Sequence, residues 1–154
     1  MLSNCASAQE RWGGVSSIID RWLKERQQVL VLFCKLSDGN QIFEENERET
    51  LLKRLCELTV DYVSAGHFEV YEQLLAEGKA FNDREGLKEA GPLFESVDKT
   101  TEVILDFNDK YQETDDLSSL TADLSQLGEA MALRFEAEDS MIEVLHYAHK
   151  QETA

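Results

Sequence analysis

His67 and Glu138 are the residues whose placement first suggests chemistry in this 154-residue chain, because each interrupts an otherwise apolar helical stripe. His149 continues the second of those stripes, and Glu72, Glu143 and His146 lie close by in sequence. Imidazoles and carboxylates gathered inside a helical protein can hold a metal, and helical di-metal sites do so with repeated Glu/His pairs one turn apart. The chain has three histidines, and the spacing of Glu143 and His146 is not repeated by a second pair. A buried hydrogen bond between His67 and Glu138, joined by Arg134, accounts for the same residues without a metal. We expect that polar pair and no cofactor.

Other reaction centres are missing from the pattern. There is no Gly-rich phosphate loop, no GxSxG and no HExxH, and no nucleophile stands with a base. The cysteines Cys5, Cys34 and Cys56 are odd in number and widely spaced, which points to free thiols in a reducing compartment. Cys56 falls among apolar residues and reads as a small hydrophobe. Residues 1–11 lack an apolar signal core, and no run of about eighteen apolar residues occurs. The expectation is a soluble cytoplasmic protein that is not an enzyme.

Charge is the strongest compositional signal. Against 15 Lys+Arg stand 31 Asp+Glu, a formal net charge of -16, which repels nucleic acid and acidic membranes and favours a basic partner. Residues 1–36 carry five Lys/Arg and three acids, a net of +2, so the remainder holds -18. Clusters such as Glu44, Glu45, Glu47 and Glu49, or Asp106, Asp109, Glu113, Asp115 and Asp116, would serve solubility taken singly. Their sum would also speed encounter with a cationic surface.

The elements that must position these residues are helices. One proline and eight glycines leave long stretches uninterrupted. From Val15, the residues Ile18, Ile19, Trp22, Leu23, Val29, Leu30, Phe33 and Cys34 keep the three-and-four spacing of one face. Residues 37–40 end that helix. A second stripe runs Cys56, Val60, Val63, His67, Val70, Leu74, with Leu55, Leu58 and Tyr62 beside it, bent at Gly66 and stopped by Gly78. A short helical piece near Asp83–Ala90 precedes a third long helix that starts at Pro92 and carries Val97, Thr101, Ile104, Asn108 and Tyr111. The last helix, capped by Asp115 or Asp116, carries Leu120, Leu124, Leu127, Met131, Phe135, Glu138, Ile142, Leu145 and His149. This predicts an all-α chain, one domain over residues 1–154, built as an antiparallel four-helix bundle with an additional short helix. Trp22 lies on a core stripe, and Trp12 beside Gly13-Gly14 is expected to be partly exposed. Phe68 and Tyr71 form a second apolar face on helix two, flanked by Asp61, Glu69 and Glu72, which suits a protein interface.

Five segments carry a specific resemblance. They are Ala8-Gln-Glu-Arg-Trp-Gly-Gly14, Ile19-Asp-Arg-Trp-Leu23, Val60-Asp-Tyr-Val-Ser-Ala-Gly-His-Phe68, Val70-Tyr-Glu-Gln-Leu74, and Arg134-Phe-Glu-Ala-Glu-Asp139 with Ile142-Glu-Val-Leu-His146. Together they resemble the Rsd/AlgQ family of anti-sigma regulators, the first and last leaning to the AlgQ branch, in the same order from Met1 to about Lys150. Residues 37–50 and 83–128 match more weakly, and cysteines associated with the AlgQ branch after the position of Phe107 are not found.

The resemblance implies a helical bundle that binds region four of the primary sigma factor, a basic helix-turn-helix. Covering that region would block promoter upstream-element recognition and docking on the polymerase flap, and would favour alternative sigma factors as growth slows. The candidate contacts are Asp61, Phe68, Tyr71 and Glu72 on helix two, with Asp20 and Trp22 on helix one. Two other classes compete with this reading: an acidic helical adaptor for another regulatory protein, and a degenerate hemerythrin-like metal-binding bundle, suggested by His67-Phe68 and the acids that follow.

Overall fold

The computed structural model describes residues 2–38, 42–44, 46–114 and 116–148, with side chains from Ser17 onward. Four long helices account for most of them. Helix α1 spans Leu2–Ser37. Helix α2 runs through Glu47–Ala65, a wider π-helical segment Gly66–Val70, and Tyr71–Ala80. Helix α3 spans Arg84–Glu113, and α4 spans Leu120–Ile142 and continues through a second π-helical segment, Glu143–Tyr147.

Contacts at the helix ends establish the antiparallel order. Lys35 near the end of α1 lies 4.0 Å from Glu47 at the start of α2. Gly78 near the end of α2 backs onto Leu87 at the start of α3. Lys110 at the end of α3 reaches Asp123 in the first turn of α4 at 2.7 Å. The tight turns use residues suited to them: Asn46 and Asn82 take positive φ of 69° and 54°, a region asparagine tolerates better than most residues. Asp83 caps α3 by accepting a hydrogen bond from the Gly86 amide at 2.9 Å.

The apolar stripes converge on one core that includes Ile19, Leu55, Leu74, Ile104, Leu127 and Leu145. Most expected stripe positions are inside. Cys56 is buried, and desolvation pushes its thiol up to about 11, so it stays protonated and inert, whereas Cys34 is exposed. Several boundaries differ from expectation. Pro92 lies inside α3, so the short helix expected before it and the third long helix are one element. Proline has no amide to donate, but its solvent-exposed position lets water satisfy the carbonyl one turn back. Gly66 opens the π segment, and α2 passes through Gly78 to Ala80. Ser119 occupies the cap position of α4 without a side-chain bond, while Asp116 accepts from the Ser118 amide at 2.9 Å and closes the preceding turn. The expectations for the side chains of Cys5 and Trp12, and for Asn40, Glu45, Asp115 and His149, lie outside the described residues.

Gly66 has a packing reason. A Cβ there would meet Trp22 Cζ2 at 3.0 Å. The widened turn that begins at this glycine holds Tyr62, Gly66, Val70 and Leu74 in line toward the interior, although their four-residue spacing would drift around a regular α-helix. His67 is thereby carried outward.

Candidate partner-binding site

A buried polar cluster joins all four helices of the bundle. Glu138 on α4 is fully buried. Its Oε1 accepts a hydrogen bond from the Tyr62 hydroxyl at 2.5 Å, and its Oε2 accepts one from the Tyr71 hydroxyl. Arg134 Nε, one turn earlier on α4, lies 3.3 Å from Oε2, and Arg26 Nη2 on α1 lies 3.4 Å from Oε1. Arg134 is itself tied to α3, donating to Thr101 Oγ1 at 2.8 Å, Thr100 Oγ1 at 3.2 Å and the Val97 carbonyl at 3.3 Å. Arg26 donates to Tyr62 Oη at 3.0 Å and to Asp139 Oδ1 at 2.6 Å. Two guanidinium groups thus face two carboxylates, and every helix contributes a group.

Burial pushes the Glu138 carboxyl above its usual range, while Arg134, the two phenols and Arg26 pull it back. The Tyr62 and Tyr71 phenols are driven well above their ordinary value, first by burial and then by the adjacent carboxylate. Around them the rings lock together. Trp22 stacks on Tyr62 at 4.7 Å with planes 2° apart and donates its Nε1–H to the Tyr62 carbonyl at 3.0 Å. Tyr71 meets Trp22 edge-on at 6.0 Å.

This arrangement corrects part of the sequence reading. The sequence pattern predicts a buried His67–Glu138 hydrogen bond joined by Arg134; Glu138 is buried with Arg134 beside it, but His67 is exposed and rests against Phe68, so it is no member of the buried network. Its place is taken by Tyr62, Tyr71 and Arg26, whose polar tips end on otherwise apolar faces. That amphipathic character was the available signal. Trp22 and Tyr71, named as partner contacts, are 2% and 6% exposed and belong to the core. A separate buried pair, which sequence reasoning missed, joins His146 Nδ1 to Glu77 Oε2 at 2.8 Å between α4 and the end of α2. Among the described residues, no three His, Cys, Asp or Glu side chains are grouped so as to hold a metal.

The remaining candidates are on the surface. Asp20, Asp61 and Glu72 are exposed, and Phe68 is 69% exposed, a large apolar side chain projecting from α2. Asp61 and Glu69 lie close enough to Glu25 on α1 to raise its carboxyl, after burial the largest causes, with Arg21 opposing them. A carboxylate cluster therefore spans α1 and α2. On the other flank of α2, Phe68 and His67 line a cavity of about 230 Å³ that reaches Leu105 and Asp98 on α3. Such a face offers acids and one protruding ring to a cationic, partly apolar surface, and lacks any nucleophile set against a base.

Among the described residues, no helix is long and apolar enough to cross a membrane. The family described as "Regulator of RNA polymerase sigma(70) subunit, Rsd/AlgQ" matches residues 1–146. Proteins named Regulator of sigma D are similar along nearly the whole chain. The one from Enterobacter sp. (strain 638) is 34% identical over 148 residues, covering 92% of this chain and 88% of its own length. That of Salmonella paratyphi B is 33% identical with 92% and 90% covered, and that of Yersinia pseudotuberculosis serotype O:1b is 29% identical with 93% and 88% covered.

Proposed function

This chain belongs to the Rsd/AlgQ family of sigma(70) regulators, not enzymes, and on that premise we propose that it is an anti-sigma factor which binds region four of the primary sigma factor in the cytoplasm. The observation that carries the reading is the set of exposed acids Asp61, Glu69 and Glu72 on the same helix as the exposed Phe68. The Glu138 network cross-links this helix to α1 and α4. A helix-turn-helix that meets DNA phosphates presents cationic side chains, and carboxylates on a rigid scaffold satisfy the same groups by charge-assisted hydrogen bonds. Asp61, Phe68, Glu72 and Asp20 are the residues we assign to that contact. Occupying the surface excludes the promoter upstream element and the polymerase flap from it.

The experiment is competition on isolated sigma region four. Promoter DNA carrying the upstream element, labelled and bound to region four, should be displaced by this protein in proportion to its occupancy. Simultaneous and undiminished binding of both would end the reading. An adaptor role for a different partner would show itself as no binding to region four at all.

A further inference from the structure

An open groove of about 680 Å³ lies between α3 and α4, with Leu93, Val103, Ala130, Leu133 and Ala137 among the residues lining it. Val103 and Leu133 are 38% and 61% exposed. The α4 wall runs from Gln126 to Ser140, about 21 Å at 1.5 Å per residue, which is four turns of helix. Its floor is already satisfied. Thr100 is 5% exposed, donates its hydroxyl to the Val97 carbonyl at 2.7 Å and accepts from Arg134 at 3.2 Å, so it offers the groove a methyl group. A small ligand would need convergent donors or acceptors, and the floor supplies none. An amphipathic helix needs only an apolar trough of this length.

The rim decides which helix. Glu129 and Glu136 stand two turns apart on the α4 edge, both exposed, and Lys99 is the cation of the opposite edge. Glu95, Glu102 and Asp106 are further exposed acids on α3. We propose that the α3/α4 groove is a second docking surface, which takes a basic amphipathic helix of a partner protein, its apolar stripe over Ala130–Ala137 and its Lys/Arg against Glu129 and Glu136. The surface is separate from the Asp61 face and does not depend on the sigma reading.

The probe is a synthetic helical peptide of about five turns with a Leu stripe flanked by Lys and Arg, added to the full chain and followed by amide NMR shifts and fluorescence anisotropy. Shifts should concentrate at Val103, Ala130, Leu133 and Ala137. Leu133→Arg should weaken binding at least tenfold, and Glu129→Lys with Glu136→Lys should reverse the preference toward a peptide whose cations are replaced by Glu. A peptide of the same composition with the stripe scrambled should not bind. Equal binding of the scrambled peptide, or shifts scattered over other acidic faces, would overturn the proposal by showing mere charge attraction. A concentration-dependent dimer abolished by Leu133→Arg would overturn it in favour of a second copy. Sigma region four should bind equally well with and without Leu133→Arg; loss of its binding in that variant, with Asp61→Ala silent, would overturn the separation of the two surfaces. Failure of region four to bind either protein leaves the peptide result standing and removes only the sigma reading.

Discussion

At the scale of single residues, Asp61 and Glu138 make opposite demands. Asp61 is exposed and unneeded by the core, so Asp61→Ala should leave the midpoint of chemical denaturation within about 0.5 kcal/mol of the parent. Binding to sigma region four should nevertheless fall about tenfold or more, the loss expected when one charge-assisted contact of roughly 1.5–3 kcal/mol is removed. Asp109→Ala, on the far stretch of α3, is the control; an equal effect from both would reduce Asp61 to a contributor to the general field. Glu138 is the reverse case. Glu138→Ala strands Arg134 and both phenols without their acceptor, and truncating one member of a buried ion network costs about 3–5 kcal/mol. His67→Ala should change stability by no more than about 0.5 kcal/mol, because its ring is outside. A large loss from His67→Ala in urea denaturation would mean that the buried network extends to it.

At the scale of elements, the stripes on α3 and on α4 as far as Ile142 were legible because those stretches keep a 3.6-residue period where their side chains meet the core. Val97, Ile104, Asn108 and Tyr111 are all inside, and so are Leu120 through Leu145 on the expected stripe apart from half-buried Phe135. What periodicity could not reveal is a change of period. The π segment Gly66–Val70 alters the register by a fraction of a turn, which is why extrapolating from Val63 placed His67 inside and left Gly66 as a mere bend. Pro92 misled for a related reason, since its residue type favours a first turn but its exposed position tolerates a mid-helix site. The exposed site residues Asp61, Phe68 and Glu72 were visible as types, while the approach of Asp61 to Glu25 across two helices, close enough for one carboxylate to raise the pKa of the other, required the fold.

The same glycine supplies a test. Alanine normally favours a helix over glycine by about 1 kcal/mol. At position 66 the added Cβ meets Trp22, which cannot retreat because it is 2% exposed, stacked on Tyr62 and hydrogen-bonded to that residue's carbonyl. Gly66→Ala should therefore be destabilising, by roughly 1–3 kcal/mol, the usual range for overpacking. A higher thermal midpoint in that variant would show that the ring stack yields.

At the scale of the whole molecule, two charge effects act in different places. The net charge of -16 acts at long range through solvent, so the association rate with sigma region four should fall as salt rises, over a screening length of about 8 Å at physiological ionic strength. A rate independent of salt in stopped-flow would exclude steering. Inside, the phenols of Tyr62, Tyr71 and Tyr111 are all held above their ordinary value of 10.0, burial being the first cause in each. A group whose folded pKa is raised keeps its full contribution below the unfolded value and loses it as pH climbs. Stability should therefore be flat with respect to these groups up to about pH 10 and decline above it. Ultraviolet titration should show their phenolate absorbance appearing together with loss of helix; ionisation of all the tyrosines near pH 10 in the folded state would contradict the buried network.

Because Glu138 is answered by Arg26 from α1, Tyr62 and Tyr71 from α2 and Arg134 from its own helix, which in turn is anchored on α3, descent with modification meets these five positions as one heritable character. A lineage cannot lose the carboxylate alone without stranding two guanidinium groups, nor lose one arginine without unbalancing the rest. In aligned relatives, positions 26, 62, 71, 134 and 138 should therefore change in concert or not at all, whereas exposed acids outside the proposed sigma contact, such as Asp109, are free to drift one by one.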